Sequence, residues 1–324
     1  MSSTQLEKIR AMKRTAIILI GILFLGIRNS EGQQMYQLSQ YMFNDYVFNP
    51  AIGGIYDYYQ VRTNYRYQWA GIKDAPRTYM LSAYGPHKSM PMGYGGFIFS
   101  DVTGPTTQLG IYGSYAYNIL VYQDIRVSAG TFIGLKQFKI DMTALRFADP
   151  EPATDIHGDN YVKYLPDASI GVYTYNSQFY FGLSMNQLFG NKIEIINEYQ
   201  TKVMAKLNNH IFIMGGYRYN INRDLDVEGA SMFKIVRGSP LQMDLNVKGI
   251  WRKMAWGGIS WRTGDAIALM GGYNYQDMLY VGYSYDIMIS QLRKFGSGSH
   301  EVMVGVKFNR IKDNNRSGVR RKIR

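Results

Sequence analysis

The sequence predicts an all-β protein, a transmembrane antiparallel β-barrel of fourteen strands with a short N-terminal periplasmic segment. Three observations carry that expectation: strands that alternate apolar and polar side chains, an even number, fourteen, of strand-like segments, and connections that alternate short and long behind an export signal. The alternation is clearest in residues 59–69. Val61, Thr63, Tyr65, Tyr67 and Trp69 share one face, and Arg62, Asn64, Arg66 and Gln68 share the other, because successive strand side chains point to opposite sides. A soluble sheet hides its apolar face against a core, whereas a membrane barrel turns that face to lipid and the polar one to its lumen.

Composition is consistent with the barrel and removes several alternatives. The 324 residues include 28 Tyr and 34 Gly but no Cys, which rules out disulfides, thiolate nucleophiles and thiolate metal sites. Beyond residue 32 there is no apolar run long enough for a helical span; a barrel escapes that test because its alternation averages out. The net charge of +12 is unevenly placed. Residues 1–32 carry five Lys/Arg against two acids, and residues 307–324 carry eight against Asp313 alone, leaving 23 basic and 21 acidic residues between them. A near-neutral body with a basic tail has no nucleic-acid footprint.

Taken in order, residues 1–32 read as a cleaved signal peptide. Lys13 and Arg14 precede the apolar run 15–27, and Ser30 and Gly32 supply small residues for removal after Gly32; Met12 offers an alternative start. Residues 33–55 form a periplasmic or plug segment. Met35, Leu38 and Met42 have helical spacing, and Asn49-Pro50 is expected to end a short helix. The segment is expected to pack in or under the periplasmic mouth, with a plain linker as the alternative.

The barrel itself is assigned to residues 56–308. Its segments lie near 56–69, 76–85, 92–102, 106–121, 123–138, 168–176, 178–187, 209–220, 224–237, 241–252, 254–262, 265–276, 278–289 and 299–308. That is about 18 residues per strand and connection, as spanning strands of about ten residues require. In 241–252, Leu241, Met243, Leu245, Val247 and Trp251 oppose Gln242, Asp244, Asn246, Lys248 and Arg252. Long connections at 141–167, 188–208 and 290–299 fall on the external side, and tight turns at 122, 176–177 and 276–277 on the periplasmic side. Trp69, Trp251, Trp256, Trp261, Tyr117 and Tyr285 sit near strand ends, where an aromatic girdle belongs. Residues 309–324 are a basic tail, either solvated or bound to an acidic periplasmic partner or inner-leaflet phosphates.

Chemistry is sparse. His87, His157, His210 and His300 lack metal-ligand spacing, and no G-x-S-x-G is present. Asp149, Glu151, Asp155, Asp159 and Asn160 form an oxygen-rich loop without the ordered spacing of a calcium site. The expected lumen face carries Arg62, Arg66, Arg126, Arg218, Lys248, Arg252 and Arg262 beside Asp101, Asp226, Glu228, Asp244 and Asp286. Such mixed signs point to mutual pairing in a filled interior more than to a selective pore. No catalytic, cofactor-binding or metal residue is nominated, and the chain reads as a non-enzyme.

In its motifs the sequence resembles the PorP/SprF family of outer-membrane proteins of the type IX secretion system. The likeness runs through Q-Y-M-F-N (40–44), N-P-A (49–51), Q-W-A-G (68–71), A-P-R-T (75–78), G-I-Y-G-S-Y-A-Y (110–117), F-G-L-S (181–184), L-Q-M-D-L-N (241–246), S-W-R-T-G-D-A (260–266), V-G-Y-S-Y-D (281–286) and G-S-H-E-V-M (298–303). The basic tail has no counterpart in it. The resemblance implies an outer-membrane protein that assists secretion or surface anchoring of cargo with a C-terminal sorting domain, such as gliding adhesins. It also implies partners among periplasmic ring or peptidoglycan-associated lipoproteins. From the residues alone, a passive porin or transporter is the alternative, and a lipid-face hydrolase a third reading.

Overall fold

Fourteen strands hydrogen-bond edge to edge into one closed antiparallel barrel in the computed structural model, which describes residues 35–142, 160–196 and 202–310, without the side chains of 194–196 and 202–206. The strands are β1 (Tyr59–Tyr67), β2 (Arg77–Pro86), β3 (Met92–Thr103), β4 (Thr106–Tyr122), β5 (Ile125–Ile140), β6 (Tyr161–Tyr175), β7 (Phe179–Asn186), β8 (Lys192–Ile196), β9 (Lys202–Lys206), β10 (His210–Asn220), β11 (Leu225–Val236), β12 (Gln242–Trp251), β13 (Ala255–Arg262), β14 (Ala266–Tyr275), β15 (Leu279–Met288) and β16 (Ser299–Phe308). Consecutive strands pair throughout, except that β8 and β9 form a hairpin of their own, so β7 meets β10. The wall closes where β16 meets β1, with Tyr59 opposite Phe308 and Tyr67 opposite His300.

Side-chain alternation survives into three dimensions with its sides as expected for a barrel. Along β12, Leu245, Val247 and Trp251 are exposed, while Asp244, Asn246 and Lys248 are buried. Ile133, at 69% exposure, and Ile259, at 55%, are typical of the outer surface, which suits lipid rather than water. No described helix is long and apolar enough to cross a membrane. The mouth carrying the connections 141–160, 187–209 and 289–298 is the external one, because barrels of this kind keep their short turns on the periplasmic side.

Several expected boundaries move. The first strand is confined to Tyr59–Tyr67, since the chain bends at 56–58 and Trp69 takes a φ of 54° in the following loop. The loop after β5 is shorter than 141–167, because β6 already pairs with β5 at Tyr161 opposite Ile140. The loop 188–208 contains the β8–β9 hairpin, whose Ile193 packs with Phe138, Leu165 and Leu207. Residues 1–34, 143–159 and 311–324 lie outside the described residues, and with them the leader, His157, the carboxylates from Asp149 to Asp159, and the tail beyond Arg310.

The core lies inside the barrel. Residues 35–58 run through the lumen from the external cavity to the periplasmic end, folded into three 3-10 turns: Tyr41–Phe43, Asp45–Val47 and Pro50–Gly54. Leu38, Tyr46, Phe48, Ala51 and Ile52 are fully buried. This path goes deeper than a plug in or under the periplasmic mouth, and no α-helix forms. Asn49-Pro50 starts a turn instead of ending one. Asn49 is extended, as a residue before proline must be, and its side chain accepts from the Ala51 N–H at 3.0 Å. Proline then sits at the first helical position, where its missing N–H costs nothing.

Strand glycines make room for this backbone. A β-carbon at Gly93 would stand 2.2 Å from Gly54 Cα, and one at Gly130 would stand 2.7 Å from the Pro50 carbonyl. Glycine inside a strand weakens packing and marks close backbone approach. We therefore expect Gly93→Val and Gly130→Leu to leave the strand ladder intact and displace the plug. Chymotrypsin should then cut between residues 36 and 58 while the barrel keeps its heat-modifiable migration on gels. Resistance equal to wild type would contradict the close approach.

Candidate functional site

The plug and the wall that grips it form the most chemically specific region of the molecule. Six buried charges form a belt on the external third of one wall: Lys234 on β11, Asp244 on β12, Arg262 on β13, Asp286 on β15, Glu301 on β16 and Arg66 on β1. Arg66 reaches Asp286 at 2.7 Å and Glu301 at 3.3 Å. Arg262 reaches Asp244 at 2.8 Å and Asp286 at 3.4 Å. Lys234 Nζ lies 3.3 Å from Asp244 Oδ2, an ion pair without good hydrogen-bond geometry. Arg262 also reaches the half-buried Asp265 at 3.2 Å, so every cation of the belt has a carboxylate within 4 Å.

The plug completes the belt. Backbone N–H groups of Ser39 and Gln40 donate to Glu301 at 2.6 and 3.2 Å, and the Ser39 hydroxyl donates to Asp286 at 2.7 Å. Arg66 Nη1 in turn donates to Ser39 Oγ at 2.8 Å. Two strand carboxylates thus take donors from both an arginine and the plug, which is how a buried charge is kept stable away from water.

Deeper in the lumen four of the five residues of the 40–44 motif have specific wall partners. The Gln40 side chain donates to the Glu301 carbonyl at 3.2 Å, and Asn246 donates to the Tyr41 hydroxyl at 2.8 Å. Phe43 lies 4.3 Å, centroid to centroid, from the Trp256 ring, with Lys248 over its other side. Asn44 donates to Asn64 at 2.8 Å and accepts from Ser82 at 3.0 Å. Across the lumen the wall is aromatic. Tyr46 stacks on Tyr84 at 3.9 Å and meets Phe132 edge-on, and Phe48 packs on Phe212. Asn49 donates to the Val172 carbonyl, and Ser184 donates to that of Phe48. One face of the plug therefore suits a charged wall and the other an aromatic one.

Cavities remain above and below. The external one, about 360 Å³, is floored by Met35, Tyr36 and Gln37; the periplasmic one, about 410 Å³, is roofed by Met42, Phe43 and Asp45. At the external rim, loops 68–76 and 289–298 are stitched together by Ala70 N–H to the Gly298 carbonyl and Ser297 N–H to that of Ala70, both 2.7 Å. At the periplasmic rim Arg310 reaches Asp277 at 3.0 Å and Asp57 at 3.4 Å. Burial opposes ionisation of Asp277, but Lys307 and then Arg310 outweigh it and hold that carboxyl below its ordinary range.

The structure brings together most of the expected lumen charges. Arg62, Arg66, Arg126, Lys248, Arg262, Glu228, Asp244 and Asp286 are buried, and Asp101, Arg218 and Asp226 are half-buried. Arg252 is the exception: it lies on the turn after β12 with φ of 50° and meets the exposed Asp224. Trp256 is also misplaced as a girdle residue. It shares its strand face with Ser260 and Arg262, so it points into the lumen and is 5% exposed. Glu301 and Ser39, central to the belt, went unsuspected; the parity of β16 would have found Glu301. His210 is buried beside Phe212, His300 meets the Tyr283 hydroxyl at 2.8 Å, and His87 caps its own turn. Among the described residues no three His, Asp or Glu side chains gather as a metal site would need.

A family model described as "Type IX secretion system membrane protein PorP/SprF" matches residues 30–306. No curated protein matches the sequence. Among solved structures the chain is similar to the Ralstonia pickettii toluene transporter TbuX, at 6% identity and TM-score 0.47, covering 79% of this chain and 89% of that one. A Pseudomonas aeruginosa FadL homologue gives 12% identity and 0.45, covering 86% and 95%. The KdgM porin gives 9% and 0.38, covering 77% and 99%. Likeness at this level bears on neither ligand nor role.

Removing Glu301 tests the clamp. Glu301→Ala takes from Arg66 the weaker of its two carboxylates, leaving Asp286, and strands two plug N–H groups, a loss of roughly 1–3 kcal/mol for each buried group left unsatisfied. Amides of Ser39 and Gln40 should then exchange with deuterium many times faster, while strand amides stay protected. Unchanged exchange would show that the aromatic side alone holds the plug.

Proposed function

Because this chain belongs to the PorP/SprF family of type IX secretion system membrane proteins, we propose that it is a plugged outer-membrane scaffold. In this reading it is non-enzymatic and assists secretion or surface anchoring of cargo bearing a C-terminal sorting domain. The external loops receive the cargo, and the periplasmic mouth faces the ring or peptidoglycan-associated components of the machine. Residues 1–32 act as the cleaved signal, 33–55 as the plug, 56–308 as the barrel and 309–324 as a basic tail.

The observation that carries this reading is the filled lumen. A passive pore needs a continuous watery path, and residues 35–58 occupy that path with buried side chains tied to both walls. With transport through the lumen disfavoured, what the barrel offers is surface: rim loops that are long on one side and tight on the other. The seam between loops 68–76 and 289–298 makes part of that external surface ordered, so a partner meets a preformed face.

Deletion of the gene followed by fractionation of surface proteins tests the proposal. At least one sorting-domain protein should leave the cell surface and either accumulate inside or appear in the medium, with restoration by the intact gene. Unchanged display of all such proteins would reject the cargo role.

A further inference from the structure

The periplasmic cavity has a charge surplus that its own residues do not resolve. Six basic and four acidic side chains line its 410 Å³, and Asp57, paired with the lining Arg310 at 3.4 Å, adds a fifth acid, which leaves a surplus of one positive charge. Most are matched. Arg218 and Lys248 share Glu228 at 2.6 and 2.9 Å, and Lys307 and Arg310 share Asp277, both at 3.0 Å. Arg62 is different. It is 7% exposed, its Nε donates to Gln60 at 2.8 Å, and its Nη1 is buried with no acceptor among the described residues. Asp45 lines the same cavity and acts on the guanidinium through space, but it lies beyond ion-pair distance.

An arginine stays charged at any physiological pH, and its planar fork matches a carboxylate. Burying one with its nearest carboxylate out of hydrogen-bond reach is costly, and a carboxylate from outside the chain would supply the missing acceptor. Around Arg62 the cavity is walled by tyrosine: Tyr280 lies 5.9 Å below the guanidinium, and Tyr56, Tyr58, Tyr173 and Tyr180 continue the lining. Tyrosine faces accept peptide planes and aliphatic stems, and their hydroxyls accept and donate hydrogen bonds. A small inorganic anion would leave those faces wet.

We propose that the periplasmic cavity binds an acidic peptide segment, with one carboxylate held by Arg62 between tyrosine walls. The positive surplus suits an acidic segment, and the opening toward the periplasm admits it from that side. The site stands on its own lining and does not depend on the cargo role, so either reading can fail without the other.

Calorimetry on the full chain in detergent micelles tests it with acetyl-Gly-Glu-Glu-Gly-amide and its Gln-Gln counterpart. At moderate salt the acidic peptide should bind at least about tenfold tighter, the size expected for one charge-assisted pair. Arg62→Gln should remove that preference, while Arg293→Gln at the opposite mouth should leave it unchanged. Equal affinity of the wild type for both peptides would overturn the proposal, and this comparison decides the matter even if Arg62→Gln fails to fold. Loss of preference in Arg293→Gln, or displacement of the peptide by inorganic phosphate at equal or lower concentration, would also overturn it, as both would mean unspecific attraction of anions.

Discussion

A carboxylate inside a barrel wall must find donors, and two of those in this wall find them on the plug. Glu301 and Asp286 are almost without solvent, yet each accepts from Arg66 and from the Ser39–Gln40 region. Without the plug, both would face an open lumen, where water would have to replace the donors that Ser39 and Gln40 supply. The same holds in reverse, since the N–H groups of Ser39 and Gln40 have no helix or ladder to satisfy them. Barrel and plug therefore satisfy each other's buried polar groups in the assembled protein.

The rest of the lumen follows from this anchoring at one end. A segment fixed at Ser39 and leaving at Tyr58 must cross the barrel, and its side chains sort by wall. Polar Gln40, Tyr41 and Asn44 meet Glu301, Asn246 and Asn64, while Tyr46, Phe48 and Ile52 pack into the aromatic side. Gly93 and Gly130 leave backbone-sized gaps where the plug passes closest. Three short 3-10 turns carry the chain along this path. The plug thereby divides the interior into an external and a periplasmic cavity of similar size but different lining.

The barrel was legible in the sequence because its rule is local. Each strand repeats every two residues, so the faces of Tyr59–Tyr67, Gln242–Trp251 and Leu279–Met288 could be read one chain segment at a time. What the sequence hid depends on other parts of the chain. Trp256 looked like a girdle residue because tryptophan near a strand end usually is one; only its parity with Arg262 revealed that it faces inward. Arg252 kept the alternation by position but fell one residue past the end of β12. The depth of the plug was hidden because residues 35–58 have no single period. Their spacing is set by partners more than two hundred residues away, Glu301 and Asn246 among them. The likeness of the 40–44 and 49–51 motifs to a family signature marked this stretch as special without showing that the lumen was its place.

The central claim is that this barrel is closed by its own N-terminal segment and works through its surfaces. Conductance in planar bilayers addresses it most directly, comparing the intact chain with one lacking residues 35–54. The intact protein should conduct little, and the shortened one should open steps as large as a barrel of fourteen strands allows. A large, steady conductance from the intact chain would contradict the account.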